Sequence, residues 1–105
     1  MLSININTPT SIMIHIKENF KNKRLSFNFA QEGLAHRSGV SLGSIKRFES
    51  TGEISLKSLL KLALTLECLD DFLNIAITKE ELISSIDELI KKDSQPKTPK
   101  RGKLK

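Results

Sequence analysis

The stretch QEGLAHRSGVSLGSIKRFES, residues 31–50, decides how this chain folds. It divides at Gly39 into two short helical segments. Gln31–Ser38 turns Leu34 and Ala35 inward, and Ser41 caps a further helix to about residue 49 with Ile45 and Phe48 inward. Gly39 supplies the positive φ that reverses the chain in a tight turn. Ala35 must be small because the second helix crosses close to its backbone. Leu34, Val40, Ile45 and Phe48 point into the angle between the helices and hold it near perpendicular. Leu42, Gly43, Ser44, Lys46, Arg47 and Ser50 are left facing outward. That face is small, polar and basic, as a helix lying in a DNA major groove needs. Spacing, residue size and charge together predict a helix-turn-helix.

Upstream, Thr8-Pro9 reads as an N-cap followed by Pro at the first helical position. Ile12, Ile16 and Phe20 repeat at i+4, so a helix is expected through about residue 24. Before it, Leu2, Ile4 and Ile6 alternate with polar residues, which predicts a short strand in an N-terminal arm, residues 1–8. A lone strand is not stable, so this one calls for a partner such as the same strand of a second copy.

Downstream, Ser50-Thr51-Gly52 ends the second motif helix and Ser55 caps the next. Leu56, Leu59, Leu60, Ala63 and Leu64 fall at helical spacing and are expected to face the core. Leu62 and Leu66 widen that stripe and are candidates for a dimer contact. A shorter helix is expected over residues 70–75. Thr78 and Glu81 form a capping-box pattern before Leu82, Ile83, Ile86, Leu89 and Ile90, an amphipathic helix over residues 78–93. Residues 94–105, rich in Lys and Pro, have too few apolar groups for a core and are expected to form a disordered basic tail. Pro99-Lys100-Arg101-Gly102-Lys103 faintly matches an AT-hook core, but reads first as a solvated tail. Residues 9–77 form the central domain in this division.

Composition bounds the function. With 105 residues, 38% of them hydrophobic, the chain has room for one domain. The net charge is +5, unevenly spread. Residues 1–66 carry nine Lys or Arg against four acids, residues 67–93 three against eight, and residues 94–105 five against none. A basic body suits a polyanion, and the acidic segment suits a basic partner. One cysteine, Cys68, excludes an intramolecular disulfide framework and reads as a small core hydrophobe in a reducing compartment. No apolar run approaches a membrane span and no signal-peptide pattern opens the chain, so a cytoplasmic, nucleoid-associated place is expected.

Catalysis has little to stand on. Gly39-Val40-Ser41-Leu42-Gly43 matches the G-x-S-x-G of serine hydrolases, but that elbow needs a preceding strand in a large sheet, and here a helix precedes it. His15 and His36 have no Cys or acidic partner at metal spacing. Gly33 costs its helix roughly 1 kcal/mol against Ala, either for a close neighbour or merely tolerated. Neither an enzyme nor a cofactor or metal is expected.

Residues 24–72, RLSFNFAQEGLAHRSGVSLGSIKRFESTGEISLKSLLKLALTLECLDDF, resemble the Xre family of lambda-repressor-like, Cro-type helix-turn-helix proteins, over about half of the chain. The resemblance implies an all-α, five-helix DNA-binding domain, here with an extra C-terminal helix and a short N-terminal strand. It implies a homodimer on a palindromic operator in double-stranded DNA, acting as a transcriptional repressor. SGVSLGSIKRFESTGEISLKSLL, with the acidic and then basic extension, is most similar to HipB-type antitoxin regulators, which implies an operon shared with a HipA-like kinase toxin. A protein-interaction antitoxin that neutralises the kinase, or a stand-alone phage-like repressor, are the alternatives.

Residue by residue, Gln31 matches the glutamine that opens the first motif helix and touches phosphate. Leu42, Gly43, Ser44 and Arg47 match base-facing positions; Ser41, Lys46 and Ser50 match groove or backbone positions. Arg24 and Glu49 match an ion pair behind the recognition helix. Ala30 departs from the usual Ser or Thr cap, a loss of ~1 kcal/mol. Leu42 departs too, offering only apolar contact, best with a thymine methyl.

Overall fold

The computed structural model describes residues 6–94, and every element in them is helical. The elements are α1 (Pro9–Ser26), α2 (Gln31–Ser38), α3 (Leu42–Thr51), α4 (Leu56–Thr65), a 3-10 helix (Leu69–Asn74) and α5 (Lys79–Ser94). Local chemistry sets most boundaries. Thr8 Oγ1 accepts from the Ser11 N–H at 3.0 Å while Ser11 Oγ accepts from the Thr8 N–H at 2.9 Å, and Pro9 follows as the first residue of α1. Ser41 and Ser55 cap α3 and α4 the same way, each accepting from the N–H three residues on. Gly39, at φ +78°, ends α2 in the left-handed conformation.

No strand occurs among the described residues. Ile6 and Asn7 lie in irregular chain before α1, with Ile6 exposed; the rest of the expected strand, and the tail from residue 95, lie outside the described residues. A two-period pattern needs a second strand to become one, and residues 6–94 offer none.

The chain falls into two units that divide after Asp70. In the first, α3 packs on α1, and α2 packs on both α3 and α4. Phe20, Leu34, Val40, Ile45, Phe48, Leu62, Ala63 and Leu66 form its core. Phe20 and Phe48 meet edge to face, ring centres 5.6 Å apart. Gly52 locks α3 to α1: it sits at φ +85°, and a Cβ there would lie 3.1 Å from the Cβ of Met13 and 3.2 Å from its carbonyl oxygen. No residue with a side chain fits that corner without moving α1.

The structure corrects the leucine stripe of α4. Leu62, Ala63 and Leu66 are the buried residues, with Leu59 half-buried beside them, whereas Leu56 and Leu64 are each 65% exposed. The helix is rotated by about a hundred degrees, or one residue, from the expected register, so that the supposedly surplus leucines form the core.

In the second unit, Glu81 Oε1 accepts from the Thr78 N–H and Thr78 Oγ1 from the Glu81 N–H, both at 3.1 Å, closing the capping box of α5. No described side chain of this unit is buried. Among the described residues, no helix is long and apolar enough to cross a membrane.

Candidate nucleic-acid interface

Three residues, Gly39, Val40 and Ser41, join α2 to α3. Val40 is buried with Leu34, Ile45 and Phe48, so the turn is pinned from inside and the opposite face of α3 is presented outward. Gly43, Lys46, Arg47 and Ser50 are exposed on it; Leu42 and Ser44 are half-buried. A Cβ built on Gly43 meets nothing within 4 Å, so the face is open at that point.

Several of these side chains already have partners. The Ser41 hydroxyl donates to Ser44 Oγ at 2.9 Å while accepting from the Ser44 N–H at 3.1 Å. The hydroxyl of the G-x-S-x-G match is therefore a helix cap. The Ser50 hydroxyl turns back onto the Arg47 carbonyl at 3.1 Å, as does that of Thr51 at 2.8 Å. Arg47 forms an ion pair with Glu53, the second residue past α3, and the Glu53 N–H donates to Thr51 Oγ1 at 3.1 Å. Sequence reasoning missed Glu53. Six residues from Arg47 and beyond the helix end, it comes into reach only because the chain doubles back at Gly52.

Behind α3 lies a buried polar cluster. Arg24 Nε donates to Glu49 Oε2 at 2.7 Å and Nη2 to Oε1 at 2.9 Å, a two-point pair in which each side chain keeps only 8% of its exposure. Arg24 Nη1 reaches the Phe29 carbonyl at 2.7 Å, tying the α1–α2 loop to the same guanidinium. Gln31 Nε2 donates to Glu49 Oε1 at 2.8 Å, so the amide implied to touch phosphate is partly engaged inside the protein. Burial pushes the Glu49 carboxyl up, but hydrogen bonds from Arg24 and Gln31, with the Arg24 charge, outweigh it and hold the group below its ordinary value. Nearby, the Arg37 guanidinium lies 4.5 Å from the Phe29 ring centre. The cluster fixes α1, α2 and α3 around one carboxylate.

Ala30 precedes α2 and makes no side-chain cap for it. Among the described residues, no group of three His, Cys, Asp or Glu is placed to hold a metal ion. In comparisons with protein-family models, curated proteins and solved structures, nothing matches the chain.

Proposed function

We propose that this chain is a DNA-binding repressor of the Xre type, working as a homodimer on a palindromic operator, with α2 and α3 as its helix-turn-helix. The observation that carries the reading is the α2–Gly39–α3 corner, whose buried side holds Leu34, Val40, Ile45 and Phe48 while Gly43, Lys46 and Arg47 stand outward. A short helix with a small first turn and basic residues beyond it can enter a major groove without steric conflict. Leu42 meets a thymine methyl, Gly43 and Ser44 lie close to base edges, and Arg47 reaches guanine O6 and N7. Lys46 neutralises phosphate. The uncapped N-terminus of α2, beside Gln31, offers backbone N–H groups to another phosphate. Ser41 and Ser50 support the helix through their internal bonds.

The ion pair to Glu53 does not lock Arg47 away. Its side chains are 67% and 54% exposed, and such surface pairs contribute only about 0–1 kcal/mol, less than the ~1–3 kcal/mol of a bidentate guanine contact. A dimer on two half-sites about 34 Å apart would exclude polymerase sterically. On the resemblance to HipB-type regulators, the proposed target is its own operon, shared with a HipA-like kinase.

Selection of bound sequences from random double-stranded DNA tests the reading directly: enrichment of a two-fold symmetric site is expected. Binding of Arg47→Ala to single-base variants of that site should cost ~1–3 kcal/mol on the cognate sequence and relax preference at one base pair. Lys46→Ala should weaken all sequences alike and lower the salt slope by about one. Equal weakening of every sequence by Arg47→Ala would make Arg47 a phosphate anchor, and no enriched site would overturn the reading.

A further inference from the structure

We propose that Glu53 sets the sequence specificity of α3, by keeping Arg47 available to a base and off the phosphates. Resting on the operator-binding reading, this adds the means by which the site rejects a wrong sequence.

The backbone brings the two side chains together. Gly52 turns the chain at φ +85°, donates its N–H to the Phe48 carbonyl at 2.8 Å, and leaves no room for a side chain against Met13. Thr51 Oγ1 donates to the Arg47 carbonyl at 2.8 Å and accepts from the Glu53 N–H at 3.1 Å. One hydroxyl thus ties both members of the pair. Arg47 Nη2 then donates to Glu53 Oε1. Glu49, the carboxylate within α3, is taken up by Arg24 and Gln31, whereas Glu53 stays 54% exposed beside Arg47.

The pair treats a base and a phosphate differently. Reading guanine O6 and N7 takes one N–H from each of Nη1 and Nη2, which leaves a second N–H on Nη2 for Glu53. The base edge carries no net charge, so the carboxylate can stay on the arginine while guanine is read. A phosphate is an anion, and an arginine that bridged it to Glu53 would draw two like charges together. Paired with Glu53, Arg47 is also neutralised, which removes it from the counterion release behind sequence-independent binding. Lys46, the neighbouring exposed cation, has no salt bridge among the described residues and remains free for phosphate. Two basic residues on one face thereby receive different tasks. Rejecting a wrong partner needs a repulsive element beside the attractive one, and Glu53 supplies it. When the guanine is replaced, Arg47 has no phosphate to fall back on.

Glu53→Gln keeps the side chain's size and removes its charge. The probes are the site selected from random duplex DNA and its single-base variants, each measured at several salt concentrations. The decisive base pair is the one at which Arg47→Ala loses preference. Changing that pair should cost the wild type about tenfold or more in affinity, and Glu53→Gln only about threefold. Penalties at the other base pairs should stay as they are. In Glu53→Gln the altered site should have a salt slope steeper than the cognate site by about one, because the freed arginine takes a phosphate. In the wild type the two slopes should agree. Glu53 is exposed, so circular dichroism should show the variant folded as the wild type is. A Glu53→Gln protein that binds every sequence more tightly by one common factor would make Glu53 a general charge and overturn the proposal, with the operator reading intact. Arg47→Ala weakening all sequences equally would overturn it too. A wild type that enriches no site would overturn both readings.

Discussion

Residues 6–70 and residues 71–94 of this chain use similar helices in opposite ways. In the first unit, α2 and α3 have eight and ten residues, too short to persist in isolation, yet Leu34, Ile45 and Phe48 are almost wholly shielded from water. In the second, α5 has sixteen residues and a complete capping box, yet it buries no described side chain. The first unit satisfies its apolar residues within one chain. The second has good local signals and an aliphatic face still open to solvent. Caps and periodicity thus make a helix, whereas tertiary burial decides how much it contributes to the stability of a single chain.

The sharpest test of that contrast is a pair of truncations. Phe48→Ala removes a ring that packs on Phe20 and should cost ~3–5 kcal/mol, enough to unfold the first unit or bring it close to unfolding. Leu89→Ala, made on a side chain 63% exposed, should leave the unfolding of the first unit within about 0.5 kcal/mol of wild type at concentrations where the chain is monomeric. Thermal denaturation of both variants followed by circular dichroism reads the difference. Similar losses would mean that the two units are one cooperative body.

A smaller effect is expected at the polar cluster. Glu49→Ala leaves the Arg24 guanidinium shielded from water without its carboxylate and should cost ~3 kcal/mol, whereas Glu80→Ala, on an exposed position of the second unit, should change little. The pH dependence carries a sign. The Glu49 carboxyl titrates below its ordinary value in the folded protein, so its contribution is full above the unfolded-state pKa and is lost as pH falls through the folded one. Melting temperatures of wild type and Glu49→Gln should therefore converge as pH drops below about 4. A gap that stays constant into acid would mean that the charge on Glu49 does not hold the cluster together.

The smallest effect has the opposite sign. A Cβ at Gly33 meets nothing within 4 Å, so this glycine serves no close approach and is merely tolerated in α2. Gly33→Ala should raise the stability of the first unit by up to ~1 kcal/mol, readable as a shift in urea midpoint at constant slope. A loss instead would point to a contact of Gly33 in the assembled protein.

The sequence is legible where structure follows from neighbours along the chain. Thr8, Ser41, Ser55 and Thr78 each reach a backbone N–H three residues on, and Gly39 reverses the chain at its own φ, so these boundaries can be read without knowing the fold. Register in α4 was not legible, because leucines at 56, 59, 60, 62, 64 and 66 cover more than one face. The choice among them is made by α2, which packs on α4 from elsewhere in the sequence. The polar contacts divide the same way. The resemblance read in residues 24–72 set Arg24 against Glu49, twenty-five residues apart, and the two are hydrogen-bonded. It assigned Gln31 to phosphate alone, and it gave no hint of Glu53, whose approach to Arg47 depends on the turn at Gly52.

The three-donor hold of Arg24, on both oxygens of Glu49 and on the Phe29 carbonyl, has an evolutionary consequence. Lysine would keep the charge but has no planar fork to span a carboxylate and a carbonyl at once, so the seemingly conservative Arg24→Lys is a poor replacement. Exchange of either partner alone passes through a shielded unpaired charge, which selection removes. Among diverging descendants of this chain, positions 24 and 49 should therefore change together, toward an apolar pair of similar volume, or not at all. A lineage that has made that exchange will also have released Gln31, whose amide then loses the carboxylate that holds it at the start of α2.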